Sequence, residues 1–531
     1  MKSLKKIFCL VLSLGMVFGA TACSAGGEEE GTKGVLSIAS FEGGYGATWI
    51  TALEKAYEAH NPGVEVNVKC DALVRDEAVT AFQTNVTPHD IFFVDGLSVG
   101  SLCETYGSLA DMSELYNSTP KAGANEENIL IKDKIRPELI EEMTYGGDRA
   151  QFAGKYYTVP SPSGPCSLVL NVDALNSVLG EGNWSEPTTT DELIALCDAI
   201  VGANKKITVG GLTYTVYPFM YSGEAIEYWR YLYYTWIAQY GGDVAWEEFN
   251  TVRRNGVYNQ EAYQPTGKLE AYQMLEKLIK RANGYCDTSS MGNDFNESQK
   301  YFLQGRACMY VTGDWLEREM EGTKYQTNLK MVKTPIISNL SAKLESDYSV
   351  SLGATAAEKD AKLAEIVRAI DNGNTSVAGV DESVFNAVRK ARAYTYTLAN
   401  SAIGAIPTVS VNKDLAIDFL RFMYSDEGIQ IILQETKSYL PVVNAADFTY
   451  NGTVSMFRQS VNKIAEGEIT YIFTSSRDPI RYRAGLESYI TNEKPEVALG
   501  KKDNASTAYS YLEREKTLLG QTWQDLMDQV Q

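Results

Sequence analysis

Two short stretches carry side chains suited to holding a small molecule. In "FEGGYGA", residues 41–47, Glu42 and Tyr45 flank a glycine pair on a predicted strand-to-helix turn. Glycine there allows close backbone approach to a ligand. In "TGDWLE", residues 312–317, Asp314 and Trp315 follow a predicted strand, and in α/β sheets ligands gather beyond the carboxyl ends of strands. Asp95 closes a third such strand, "DIFFVD", with a carboxylate that would accept hydroxyl donors or serve as a turn residue. A glycine turn before a helix also suits phosphate, but "FEGGYGA" lacks both the P-loop lysine and the GxGxxG spacing.

Other chemistries find less support. The chain has two histidines, His60 and His89, which weakens any zinc site or histidine base. Cys70, Cys103, Cys166, Cys197, Cys286 and Cys308 form no CxxC or metal-ligand pattern. In "DNGNTSVAGVDES" Gly373 stands where a calcium loop needs Asp or Asn. No metal or cofactor is expected. With 68 acidic residues a carboxylate pair for glycoside hydrolysis is always proposable, so a secreted carbohydrate-active hydrolase is one alternative and a surface polysaccharide adhesin another.

The amino terminus reads as an export and anchoring signal. Lys2, Lys5 and Lys6 precede an apolar stretch from Ile7 to Phe18, shorter than the roughly 20 residues a membrane span needs but suited to a signal peptide. "ATAC" then resembles a bacterial lipobox, with Cys23 as the acylated residue and 1–22 removed. Two acyl chains anchor far better than one. Residues 23–34 read as a flexible tether, small, glycine-bearing and acidic. Formal charge is −20, and removing the signal with its three lysines takes it to −23. Such acidity argues against nucleic-acid or anionic-membrane binding.

These residues need elements to position them. "GVLSIAS", "VEVNV" and "DIFFV" alternate with helical patterns such as Trp49, Leu53, Ala56 and Tyr57, the rhythm of a parallel sheet covered by helices. A second α/β unit starts near "GKYYTVPSPSGPCSLVLNVDAL", where Pro160, Pro162 and Pro165 interrupt regular structure. The 531-residue length favours two domains. Trp229, Leu232, Tyr233, Trp236 and Tyr240 recur at helical spacing, a stripe that usually faces a core.

In order along residues 35–445, several blocks resemble the extracellular solute-binding proteins of ABC importers, family 1: "FEGGYGATWITALEKAYEAHNPGVEVNV", "HDIFFVDGLSVGSLCETYGSLADMSEL", "GKYYTVPSPSGPCSLVLNVDAL", "FLQGRACMYVTGDW" and "AIDFLRFMYSDEGIQ". The resemblance implies a periplasmic-binding-protein-like type II fold, two discontinuous α/β lobes joined by a hinge with the ligand in the cleft between them. It places chain crossings near Val159–Ser163, Tyr310 and Ile406–Ser410. Lobe 1 is then 35–158 with 311–408, and lobe 2 is 159–310 with 409–531. The family implies a non-enzymatic sugar or oligosaccharide carrier, held as a monomer at the outer face of the cell membrane, which delivers to ABC permease subunits. An aromatic face and fixed polar groups would hold the sugar: Trp315, Asp314, Glu42, Tyr45, Asp95, the crossing residues Ser161 and Ser163, and Trp236 from "WIAQYGG".

Overall fold

The computed structural model describes residues 34–121, 126, 128–145, 149–325, 327–475, 477–490, 493–501 and 506–530. The expected signal peptide, Cys23 and all but the last residue of the expected tether lie outside them. In chain order the strands of the two main sheets are β1 (Gly34–Phe41), β2 (Val64–Asp71), β3 (Ile91–Val94), β4 (Val159–Pro160), β5 (Pro165–Asn171), β6 (Tyr217–Phe219), β7 (Ala307–Gly313), β8 (Leu329–Val332), β9 (Tyr394–Thr397), β10 (Ile403–Ala405) and β11 (Thr470–Ile472). The helices that matter below are α1 (Thr48–His60), α2 (Val74–Thr84), α3 (Pro137–Met143), α4 (Arg230–Thr251), α5 (Lys413–Met423), α6 (Asp426–Thr436), α7 (Met456–Glu466) and α8 (Ala508–Val530).

The first sheet runs β2-β1-β3-β10-β4, with β1 parallel to β2 and β3 and β10 antiparallel to both its neighbours. β3 is the all-apolar IFFV and is buried throughout, as a central parallel strand with both faces covered must be. Helix α1 buries Trp49, Leu53 and Tyr57 of the expected stripe together with Ile50, while Ala56 is half-buried. The second sheet runs β11-β9-β5-β7-β6, with β8 also paired to β5. β5 and β7 are buried at every position and lie antiparallel.

The sheets divide the chain differently from the expected partition. β7 is bonded to β5 through Tyr310 opposite Val169, so Tyr310 is mid-strand in the second lobe and no crossing occurs there. Residues 311–397 therefore stay with the second lobe. The chain crosses at Ser161–Gly164, overlapping the Val159–Ser163 segment that the resemblance implied, and returns at Leu398–Ala402, a few residues before the expected Ile406–Ser410. Helices α5 and α6 belong to the first lobe. Tyr57 on α1 donates to Asp418 at 2.6 Å and packs on Phe419 and Phe422. The third crossing lies between Val442 and α7. From α7 onward the chain serves mainly the second lobe, where α8 buries Tyr511, Leu512, Leu519 and Leu526.

That last stretch also reaches back to the first lobe. Glu104, 3% exposed, pairs with Arg483 at 2.6 Å and accepts the Tyr482 hydroxyl at 2.8 Å. Ser475 donates to Glu142 on α3 at 2.8 Å, and Arg477 pairs with Glu141 at 2.8 Å. Among the described residues the six thiols form no disulfide, and no helix is long and apolar enough to cross a membrane.

Candidate functional site

The register of the second sheet brings one strand end to the crossing. Cys166 at the start of β5 lies opposite Gly313 on β7 and Tyr396 on β9, so Gly164, Asp314, Trp315 and Tyr396 share an edge facing the first lobe. On that lobe, β1 and β3 end in the Glu42 turn and Asp95. Gly164 is needed here because a β-carbon on it would fall 2.3 Å from the Asp314 carboxylate.

A polar network joins the lobes at this edge. Asp314 is 0% exposed and is held by Arg458 of α7, itself 1% exposed, with Nη1 donating to Oδ2 at 3.1 Å and Nη2 to the Asp314 carbonyl at 2.8 Å. From the first lobe, the Ser438 hydroxyl donates to Asp314 Oδ2 at 2.5 Å and the Tyr45 hydroxyl donates to Oδ1. The Gly164 amide in turn donates to the Tyr45 oxygen at 3.2 Å. Burial, then the adjacent Asp314 charge, raises the Tyr45 phenol well above its ordinary range, so it stays a donor. Beside it, the Gly44 amide donates to Glu319 at 3.2 Å while Gln299 binds that carboxylate's other oxygen at 2.7 Å. Burial raises Glu319 despite both bonds.

Next to the network runs a row of rings. Trp315, 6% exposed, meets Tyr228 and Tyr231 edge-on at 6.1 and 6.4 Å. Tyr228 stacks on Tyr231 at 5.1 Å, Tyr231 on Tyr396 at 5.0 Å, and Tyr234 lies 6.2 Å from Tyr396. Tyr228 and Tyr234 are partly exposed. Tyr231 and Tyr396 are each 2% exposed and Tyr231 is stacked on both sides, so Tyr228 and Tyr234 are the rings of the row that present apolar surface of the kind a sugar's C–H face packs against.

The expected residues separate clearly. Tyr45, Asp314 and Trp315 are brought together. Glu42 is exposed on the same turn. Asp95 instead takes a two-pronged bond from Arg75 of α2 at 2.5 and 2.7 Å, and that guanidinium lies 4.1 Å over Phe41 at the base of the turn. No described residue of the second lobe bonds it. Ser161 and Ser163 are buried in the crossing, their amides donating to the carbonyls of Ala402 at 3.0 Å and Tyr439 at 3.3 Å. Trp236 is 0% exposed in the core of the second lobe, with its indole N–H given to Pro335 O at 3.0 Å. The helical stripe prevailed over the motif, and Trp236 does not reach the cleft.

Sequence reading missed Tyr228, Tyr231, Tyr396, Ser438 and Arg458. The run "EYWRYLYY" was the available signal for the first two; the others depend on tertiary pairing. A cavity of about 490 Å³ elsewhere, walled by residues such as Glu247, Thr251, Asn255 and Arg477, contains none of the expected residues and no aromatic ring.

A family profile described as bacterial extracellular solute-binding protein matches residues 42–430. Comparison with curated protein sequences finds no match. Among solved structures, the chain resembles one from work on xylan utilization by the thermophilic bacterium Caldanaerobius polysaccharolyticus, at 16% identity and TM-score 0.57, over 91% of this chain and 99% of that one. It also resembles a chitin oligosaccharide binding protein at 15% identity and TM-score 0.57, over 92% and 100%. An ABC substrate-binding protein from Listeria monocytogenes in complex with cycloalternan follows at 14% and 0.54, over 93% and 100%. The profile spans most of the chain and the two-lobed fold is matched along the full length of these structures, so the protein belongs to the bacterial extracellular solute-binding protein family.

Proposed function

We propose that this protein captures a sugar or oligosaccharide between its lobes and hands it, unchanged, to the permease subunits of an ABC importer. The observation that carries this reading is the ring row ending at Trp315, set against a polar network that spans the cleft. Solved structures of the same fold are described with xylan utilization, chitin oligosaccharide and cycloalternan, and those descriptions support a carbohydrate ligand here.

In this reading the partly exposed Tyr228 gives the stacking face beside Trp315, and Glu42 meets hydroxyls from the glycine turn, while Tyr45 and Asp314 bond one another across the cleft and Asp95 is held by Arg75. Ser161 and Ser163 serve the hinge, and Trp236 the core. The lobes swing about Ser161–Gly164 and Leu398–Ala402. Ligand favours the closed form only by as much as it binds that form better. Titrating mono- and oligosaccharides into the protein while assaying for cleavage tests the reading: saturable one-to-one heat with intact sugar supports it, and turnover refutes it.

Cys23 holds the monomeric body at the outer face of the membrane through acyl chains. Labelled palmitate is expected in the wild type and absent from Cys23→Ser; equal labelling of both would remove the anchor from that residue.

A further inference from the structure

Arg230 opens α4 between Tyr228 and Tyr231, in the middle of the ring row. It is half-buried, its Nε is shielded without a hydrogen-bond partner, and its guanidinium carbon lies 6.0 Å from the Tyr234 centroid. No hydrogen bond or ion pair joins that guanidinium to any described residue. This sets it apart from the buried arginines of the second lobe: Arg306 holds Asp287, Arg392 holds Asp371, Arg458 holds Asp314 and Arg481 holds Glu487. Glu496, a carboxylate within electrostatic reach of Arg230, accepts the Tyr233 hydroxyl on one oxygen at 2.9 Å and leaves the other unpartnered. Glu496 feels the charge of Arg230 without bonding it. A guanidinium drawn out of water and left without an acceptor is costly, and its planar fork matches a carboxylate two-pronged.

We infer that the captured saccharide is acidic, and that Arg230 pairs with the carboxylate of a uronate unit held against the partly exposed Tyr228 and Tyr234. This rests on the capture reading above and narrows its ligand class. Because the whole protein carries formal charge −20, an anionic ligand needs such a local cation to offset long-range repulsion.

Calorimetry with trigalacturonate, the same trimer as its methyl ester, a glucuronate-bearing xylo-oligosaccharide and its neutral parent tests it. At least one acid should bind about tenfold or more tighter than its uncharged counterpart, the margin of a charged hydrogen-bonded pair. Arg230→Gln should erase that margin and leave the neutral sugar's affinity unchanged, whereas Arg230→Lys keeps part of it. Arg230→Gln should still unfold cooperatively, since no hydrogen bond or ion pair is lost, with its midpoint lowered only by the weaker charge compensation of buried Glu496. Equal binding of acid and neutral forms overturns the inference and leaves the capture reading intact. An acid preference that survives Arg230→Gln removes Arg230 from it. Silence from every saccharide, acidic and neutral, overturns both.

Discussion

The Tyr45 phenol spans the two lobes. Tyr45 leaves the first strand-to-helix turn and donates to Asp314 of the second lobe, where Ser438 and Arg458 converge on the same carboxylate. Tyr45→Phe keeps the ring and removes that bond to a carboxylate, a loss of about 2 kcal/mol. Small-angle scattering of the unliganded variant should therefore report a larger radius of gyration than the wild type; an unchanged radius would mean that the phenol does not help hold the lobes together. Trp315→Ala removes the end of the ring row, and the best-bound oligosaccharide should weaken by about tenfold, or 1.4 kcal/mol. Unchanged affinity would remove that ring from the site. Tyr45, Asp314 and Trp315 were legible because strand ends and glycine turns mark where α/β sheets meet ligands. Ser438 and Arg458 were not, since each lies more than a hundred residues from Asp314 and nothing local records the pairing. Asp95 obeyed the same strand-end rule, yet its carboxylate is taken by Arg75, whose reach from α2 no spacing rule records.

The carboxy-terminal segment acts as a brace between the lobes. Burial pushes the Glu104 carboxyl upward, but the Arg483 guanidinium and the Tyr145 and Tyr482 hydroxyls outweigh it and hold the group below its ordinary value. A depressed native value stabilises the fold at pH above the unfolded carboxyl's, about 4.3, and that contribution disappears as pH falls through the lower native value. Thermal midpoints should thus drop below about pH 4.3, and Arg483→Met should lower the midpoint at neutral pH while flattening that acid dependence. An equally steep acid dependence in the variant would assign it to other carboxylates. Element types were readable because apolar runs and helical stripes are local properties. Sheet membership was not: "ACMYVTG" is a fully buried strand in whichever sheet it joins, and its register with β5, rather than its composition, places it in the second lobe. The proline-rich crossing was readable because proline interrupts ladders wherever it stands.

For the molecule as a whole, two α/β bodies joined by short crossings are bonded to one another through Tyr45, Asp314 and Ser438, and the proposed clamp is the closure of these bodies on a saccharide. The family and the two-lobed architecture were legible from ordered blocks along the chain, since each block encodes a strand end, a turn and a helix together. The division of helices between lobes emerged only from packing, as with α5 and α6 against α1. Calorimetric titration of the unmodified protein with a panel of neutral and acidic oligosaccharides, with the sugar recovered and sized afterwards, tests the clamp most directly. One saccharide should bind per protein and be recovered intact. Shortened products, or no heat from any saccharide, would contradict it.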